Sequence, residues 1–306
     1  MSAARATGAA PPKLPDADLA ALDEVVERAL RSGEETALPV LGYGEISLVL
    51  GWPPESPRFA CKRLPVFPSR GRFEAYRETL GRYLEAIESA GVHVVGTEMR
   101  PVELRRGRVA GYIVQPILPA ETLAPALLAS CDPADGHPLV RAVADAAAAV
   151  VGPRLGLDAQ LANWSWADGR LTYIDVSTPI IWSMDGSPLL DLELMAEAYP
   201  AILRRPLRRW VAPGILDGYR DLRGVYLDLC GNLIKDRLEP WLPAFLARLN
   251  RHLADRPLGA EEVRRYYRSD ARRWGALLWL RRLDRSWTRR VRRRPYPFLL
   301  PKRIER

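Results

Sequence analysis

The apolar residues of this chain follow different periods on either side of a proline-marked break, Pro116 to Pro119. Ahead of the break, helical and strand-like stretches alternate. Residues 16–31 set Leu19, Leu22, Val26, Ala29 and Leu30 at helical spacing, with Asp16 as cap and Ser32-Gly33 as stop. Residues 40–50 and 59–64 read as two strands joined by the turn-rich GWPPESPR. Residues 73–90 form an amphipathic helix with Phe73, Tyr76, Leu80, Tyr83, Leu84 and Ile87 on one face, closed by Gly91. Residues 98–104 and 109–115 then make a hairpin around Arg105–Arg108. Beyond the break the pattern is mainly helical, at 139–151, 189–204, 215–229, 233–250, 260–268 and 271–293. One strand-like stretch, 158–176, turns at Asp168-Gly169. The layout is a helix with a small sheet, a hinge, a larger helical part and a basic tail.

Composition narrows the classes. With 306 residues, 48% hydrophobic and 27% charged, the chain has ample apolar surface for a core, which excludes a mostly disordered protein. No apolar run approaches the ~18 residues of a membrane span, and the opening MSAARATGAAPP lacks the apolar core of a secretory signal. It reads as a disordered lead-in over 1–15. Cys61, Cys131 and Cys230 are too scattered for a disulfide framework or a CxxC pair, and with three histidines there is no zinc spacing, so the cytoplasm is the expected compartment. The net charge of +8 is uneven: residues 271–306 hold 13 basic and 2 acidic residues, leaving the body at 32 − 35 = −3. A nucleic-acid-binding body is therefore disfavoured.

Rarity makes some residues informative. Only four of 45 basic residues are lysine (Lys13, Lys62, Lys235, Lys302), and there are three asparagines, Asn163, Asn232 and Asn250. Gly42 and Gly44, two residues apart between strands, let backbone amides approach a phosphate, although glycines are common in hairpins. Lys62 lies inside an apolar strand and needs a partner there, because an unpaired buried ammonium is costly. Glu78 is the first candidate, with Glu74 or Glu85 as substitutes. Further on come Asp158, Asn163 five residues later, and Asp175 twelve beyond that at the end of an apolar strand. Asn163 and Asp175 offer hard oxygens of the kind Mg²⁺ takes alongside substrate phosphates, leaving Asp158 to accept a proton from an attacking hydroxyl.

The ordered set Gly42/Gly44, Lys62, Glu78, Asp158, Asn163 and Asp175 resembles the protein-kinase-like fold, and most of all its small-molecule branch, the aminoglycoside and choline phosphotransferase type. The resemblance spans roughly residues 36–250. It implies an α+β, bilobal fold with a small antiparallel-sheet N-lobe over 16–118 and a helical C-lobe over 119–270. It also implies ATP and Mg²⁺ as cofactors. The glycine loop would cover the phosphates, Lys62 would contact them and pair with Glu78, and Gln115–Leu118 would be the hinge that receives adenine. Asp158 would be the catalytic base, and Asn163 and Asp175 would hold Mg²⁺. The resemblance requires Lys62 and Asp175 to face each other between the lobes.

The departures matter as much. Gly156 stands where the family has His, Ser47 where a third glycine might stand, and Asp175-Val176-Ser177 replaces Asp-Phe-Gly. No convincing Ala-Pro-Glu segment follows, Ala198-Tyr199-Pro200 being a poor imitation. The expected function is ATP-dependent phosphoryl transfer to a hydroxyl of a small molecule or peptide. The alternatives are an inactive kinase-like nucleotide-binding or scaffold protein, and nucleotidyl transfer on the same fold. Asp185, Asp191 and Glu193, with Trp164, Trp166, Trp182 and Trp210, are candidates to receive a cationic acceptor, against caps and core packing as the plainer reading. The basic segment 271–306 places Ala276, Leu280, Leu283, Trp287 and Val291 on one stripe. It suits an anionic membrane or a polyanion, or it docks on the helical lobe, as Pro295–Pro301 suggests.

Overall fold

The computed structural model describes residues 13–32, 38–43, 48–196, 199, 204 and 212–291. Helix α1, Asp16–Ser32, precedes strands β1 (Val40–Tyr43), β2 (Leu48–Trp52) and β3 (Phe59–Arg63). Helix α2, Arg70–Ser89, follows, then β4 (His93–Val94), β5 (Glu98–Glu103) and β6 (Val109–Pro116). A five-stranded antiparallel sheet has the order β1-β2-β3-β6-β5. The β5–β6 hairpin turns through Arg106 and Gly107, at φ 63° and 68°.

Alternation across β3 and β6 sends successive side chains to opposite faces. Cys61, Tyr112 and Val114 bury against Leu19, Leu22 and Val26 of α1. Ile113 faces the other way, onto the core that holds α2. Because Lys62 lies opposite Ile113 in the ladder, it shares that second face. The α1 side also carries a buried polar link. Arg63 donates from Nε to Asp23 at 3.1 Å and from a terminal nitrogen to Glu27 at 2.6 Å, and the Tyr112 hydroxyl donates to Asp23 at 2.7 Å.

Helix α2 starts at Ser69, whose hydroxyl accepts from the amide of Arg72 at 3.3 Å, and ends before Gly91 at φ +85°. Its buried stripe, Phe73, Tyr76, Leu80, Tyr83 and Ile87, packs on the sheet at one end and on the helical lobe at the other. Burial of Phe73, Leu80 and Ile87 contributes roughly 1.5–3 kcal/mol each. That single helix makes one continuous core of the two lobes.

Among the described residues the C-terminal lobe contains α3 (Ala124–Ala129), α4 (Pro138–Val150), β7 (Trp164–Ala167), β8 (Arg170–Tyr173) and five further helices. These are α5 (Leu192–Ala196), α6 (Ala212–Tyr219), α7 (Leu222–Lys235), α8 (Leu242–Leu249) and α9 (Ala260–Arg290). Strand β4 pairs parallel with β8, which pairs antiparallel with β7. The protein is thus two-lobed and α+β, with an antiparallel-sheet N-terminal part and a helical C-terminal part, as expected.

Several expectations change in detail. The helix expected over 215–229 divides at Asp221, whose carboxylate accepts from the amides of Arg223 and Gly224 and starts α7. The helices expected at 260–268 and 271–293 are one 31-residue helix, α9, because no breaker separates Arg268 from Ala271. Within the expected lead-in, residues 1–12 lie outside the described residues. Leu14, however, is buried and its carbonyl accepts from Arg100 at 2.9 Å. Gly44, Ser47, Ala198, Pro200, Trp210 and residues 292–306 also lie outside the described residues.

Candidate functional site

Lys62 reaches from β3 to the segment after β8. Its ammonium donates to both oxygens of Asp175, at 2.9 Å each, and to the hydroxyl of Ser177 at 2.6 Å. The pair joins positions 113 apart in the chain, one from each lobe. Ser177 completes it: its hydroxyl and its amide both donate to Asp175 Oδ1, at 2.7 and 3.1 Å. From α2, the Tyr76 hydroxyl donates to the Ser177 carbonyl at 2.7 Å. Burial opposes the charge on Asp175, but Lys62 and the Ser177 bonds outweigh it and hold the carboxyl below its ordinary range.

The expected partner of Lys62, Glu78, is not there. Glu78 is exposed and pairs with Arg82 one turn along α2, while Glu74 pairs with Arg70 and Arg77. The reason is helical phase. Glu78 falls about half a turn from the Phe73–Ile87 stripe that packs inward. Periodicity held that signal, and the motif spacing overrode it.

Asp158 and Asn163 sit in the loop before β7. Asn163 Nδ2 donates to the Asp158 carbonyl at 3.0 Å, and the Asn163 carbonyl accepts from the amide of Ile174 at 2.8 Å. The second bond sets Asn163 beside Asp175, one residue on from Ile174. Among the described residues, no hydrogen bond reaches Asn163 Oδ1. Asn163 Oδ1 and the Asp175 carboxylate are oxygens of the hard kind that Mg²⁺ takes alongside phosphates.

The Asp158 carboxylate accepts from the Gln160 amide at 3.3 Å and from Gln160 Nε2 at 3.1 Å. Gln160 in turn accepts from Lys235 of α7 at 3.1 Å. Burial first, then the nearby carboxylates of Asp228 and Asp175, push the Asp158 carboxyl up to about 7. Asp228 is held by Tyr266 of α9 at 2.7 Å and by Asn232 Nδ2 at 3.1 Å. A carboxyl poised near neutrality is suited to exchange a proton with a hydroxyl.

The remaining expected residues divide. Gln115 lies on the same sheet face as Lys62, and its amide donates to Thr97 at 3.0 Å and to the carbonyl of Ile174 at 2.9 Å. It ties β6 to the residue before Asp175. Leu118 is half-buried just past β6, and Gly42 is on β1 at an irregular step of its pairing with β2. Asp191, expected among the acceptor acids, instead ion-pairs with Arg72 of α2 and accepts from the amide of Leu194 at 3.0 Å. Glu193 also meets Arg72, at 3.1 Å, and Asp185 accepts from the Ser187 amide at 3.0 Å. Trp164 and Trp182 are core residues. Asp191 as a cap, and Trp164 and Trp182 as core, match the plainer reading.

Sequence reasoning missed Ser177, Tyr76, Gln160, Lys235 and Asp228. For Lys235 the signal was available, since it is one of four lysines. Ser177 was noted only as a departure, yet its hydroxyl makes contacts that a glycine cannot.

Fold and site together define a two-lobed α+β protein in which a strand lysine meets a carboxylate of the opposite lobe. The chain belongs to a family of unknown function, DUF6206, whose model matches residues 21–285. No curated protein matches it in sequence. Among solved structures it is similar to one described as WaaP in complex with acyl carrier protein, at 17% identity over 83% of this chain and 90% of that one. The TM-score there is 0.30. Among the described residues, no helix is long and apolar enough to cross a membrane.

Proposed function

We propose that this protein is a phosphotransferase that moves the terminal phosphoryl group of ATP to a hydroxyl of a small molecule or peptide. The observation that carries the reading is the bond of Lys62 to both oxygens of Asp175, with Asn163 braced between Asp158 and Ile174 beside it. Residues that serve separate structural ends have no cause to converge in this order. The small-molecule branch is favoured over protein kinases by the motif spacing and by the Asp175-Val176-Ser177 sequence.

In this reading Asp158 takes the proton of the acceptor hydroxyl as its oxygen bonds to phosphorus, and ADP leaves with the bridging oxygen. Gln160, steadied by Lys235, keeps the Asp158 carboxylate turned toward the acceptor. Lys62 balances charge on the phosphate oxygens, and Gln115–Leu118 would lie against adenine, with Gly42 and Gly44 near the phosphates. Mg²⁺, when bound, supplies further charge neutralisation, and Asn163 Oδ1 and Asp175 would hold it.

The test is ADP release with ATP, Mg²⁺ and a panel of alcohols. Turnover that Asp158→Ala abolishes supports the proposal. Absence of turnover across the panel, with no stabilisation by ATP–Mg²⁺, overturns it.

One observation favours a second reading, an inactive nucleotide-binding protein. Lys62 is already satisfied by Asp175 and Ser177, and Glu78 pairs with Arg82 instead. Thermal stabilisation by ATP–Mg²⁺ without consumption of ATP would select that reading.

A further inference from the structure

Among the described residues, six large apolar side chains are well exposed, and four of them share one line of the C-terminal helix. Trp279, Leu283, Trp287 and Val291 are 61%, 48%, 57% and 55% exposed and recur every fourth residue. The first part of α9 is docked: Val263 is buried, Glu262 pairs with Arg223 at 2.8 Å, and Tyr266 bonds to Asp228. The expected docking of the stripe on the helical lobe is therefore not what these four residues do. Arg272 and Arg290, both exposed, lie about five turns apart along the same line, and Arg273 is exposed beside it. From 271 to 291 there are seven arginines and a single acid, Asp284.

We infer that this face rests on the boundary between headgroups and acyl chains of an anionic phospholipid bilayer. The surface has two requirements at once. Its arginines call for a dense anionic partner, and its tryptophans and aliphatics call for hydrocarbon. A second copy of the chain would set like charge against like charge. A nucleic acid would meet the arginines and leave Leu283 and Val291 in water. A bilayer rich in acidic lipid meets both, with the indoles at headgroup depth where their amphipathic rings are favoured. The helix lies on the surface and does not cross it.

Vesicle co-sedimentation of the full chain tests this, comparing phosphatidylcholine with phosphatidylcholine containing about 30% phosphatidylglycerol. Binding at least about tenfold tighter to the anionic vesicles is expected, with a blue shift of tryptophan emission. The triple variant Trp279→Ser, Leu283→Ser, Trp287→Ser should lose that binding while keeping the wild-type melting temperature. Arg272→Gln, Arg273→Gln, Arg290→Gln should erase the preference for anionic lipid. Equal or absent binding to the two vesicles overturns the inference. So does a triple serine variant that still binds, which would assign the attraction to polyanion contact alone. A lowered melting temperature would show that the stripe packs within the chain, and a dimer dispersed by the serine variant would show a second copy on it. Either result also overturns the inference.

Discussion

The amide of Gly156 donates to the carbonyl of Ile180 at 2.8 Å, and a Cβ on Gly156 would stand 2.6 Å from Ile180 Cγ2 and 2.8 Å from the Tyr219 carbonyl. The family resemblance puts a histidine at this position. Here the backbone has closed into that space, and Tyr83 donates to the Gly156 carbonyl at 3.2 Å. Departure from the motif is a packing solution, two residues before Asp158. Gly156→Ala should lower stability by about 1–3 kcal/mol through overpacking, read as a fall in the midpoint of chemical denaturation.

Asp158 and Asp228 predict a pH dependence. With the Asp158 carboxyl at about 7, ADP release should rise with pH through neutrality. Asp228→Asn keeps the contacts' shape and removes one of the charges that raise it, so the profile should shift to lower pH. The folded value lies above the unfolded one, so the native state binds the extra proton. The penalty for ionising Asp158 accordingly grows as pH climbs from about 4 to about 8. Asp158→Asn should be more stable than the wild type at pH 8 and equal to it at pH 4, by thermal melts.

Lys62 and Asp175 predict the opposite sign. The depressed Asp175 carboxyl contributes stability at neutral pH that is lost as pH falls through and below its ordinary range near 3.8. Lys62→Met removes the cation, so melting temperature should decline less steeply in acid than in the wild type. The same variant should abolish ADP release.

Asp23 and Arg63 are a structural pair with no part in the site. Both side chains are under a tenth exposed. Asp23→Ala should cost about 3 kcal/mol, since it strands a buried guanidinium with Glu27 as its remaining carboxylate. ADP release per folded molecule should not change. Denaturant titration and a specific-activity assay separate the two effects.

Ser177→Gly tests whether the hydroxyl shapes the site. It removes the 2.6 Å contact from Lys62 and the 2.7 Å contact to Asp175 and keeps the amide bond. A change of about threefold or more in KM for ATP is expected, against a smaller change in stability, since a single net hydrogen bond contributes about 1 kcal/mol.

The residues legible from sequence were those whose identity stood out against an arginine-rich background: Lys62 in an apolar strand, Asn163 among three asparagines, and Asp175 at a strand end. Lobes and elements were legible because hydrophobic period is a local property, written within ten to twenty residues. Boundaries moved where a cap such as Asp221 decided them. Glu78 was misjudged because motif spacing was preferred to helical phase, and the ion pair of Asp191 was not legible because its partner, Arg72, lies 119 positions away.

By itself the sequence determined which stretches would be helix or strand, and which few polar residues stood out for chemistry. Tertiary structure decided the pairings: Lys62 with Asp175 and Ser177, Asp158 with Gln160 and the field of Asp228, and Trp279 with no partner in the described chain. The reason is that propensity and periodicity act between near neighbours. A carboxylate's partner and its proton affinity depend on which distant groups the packed core brings within a few ångströms.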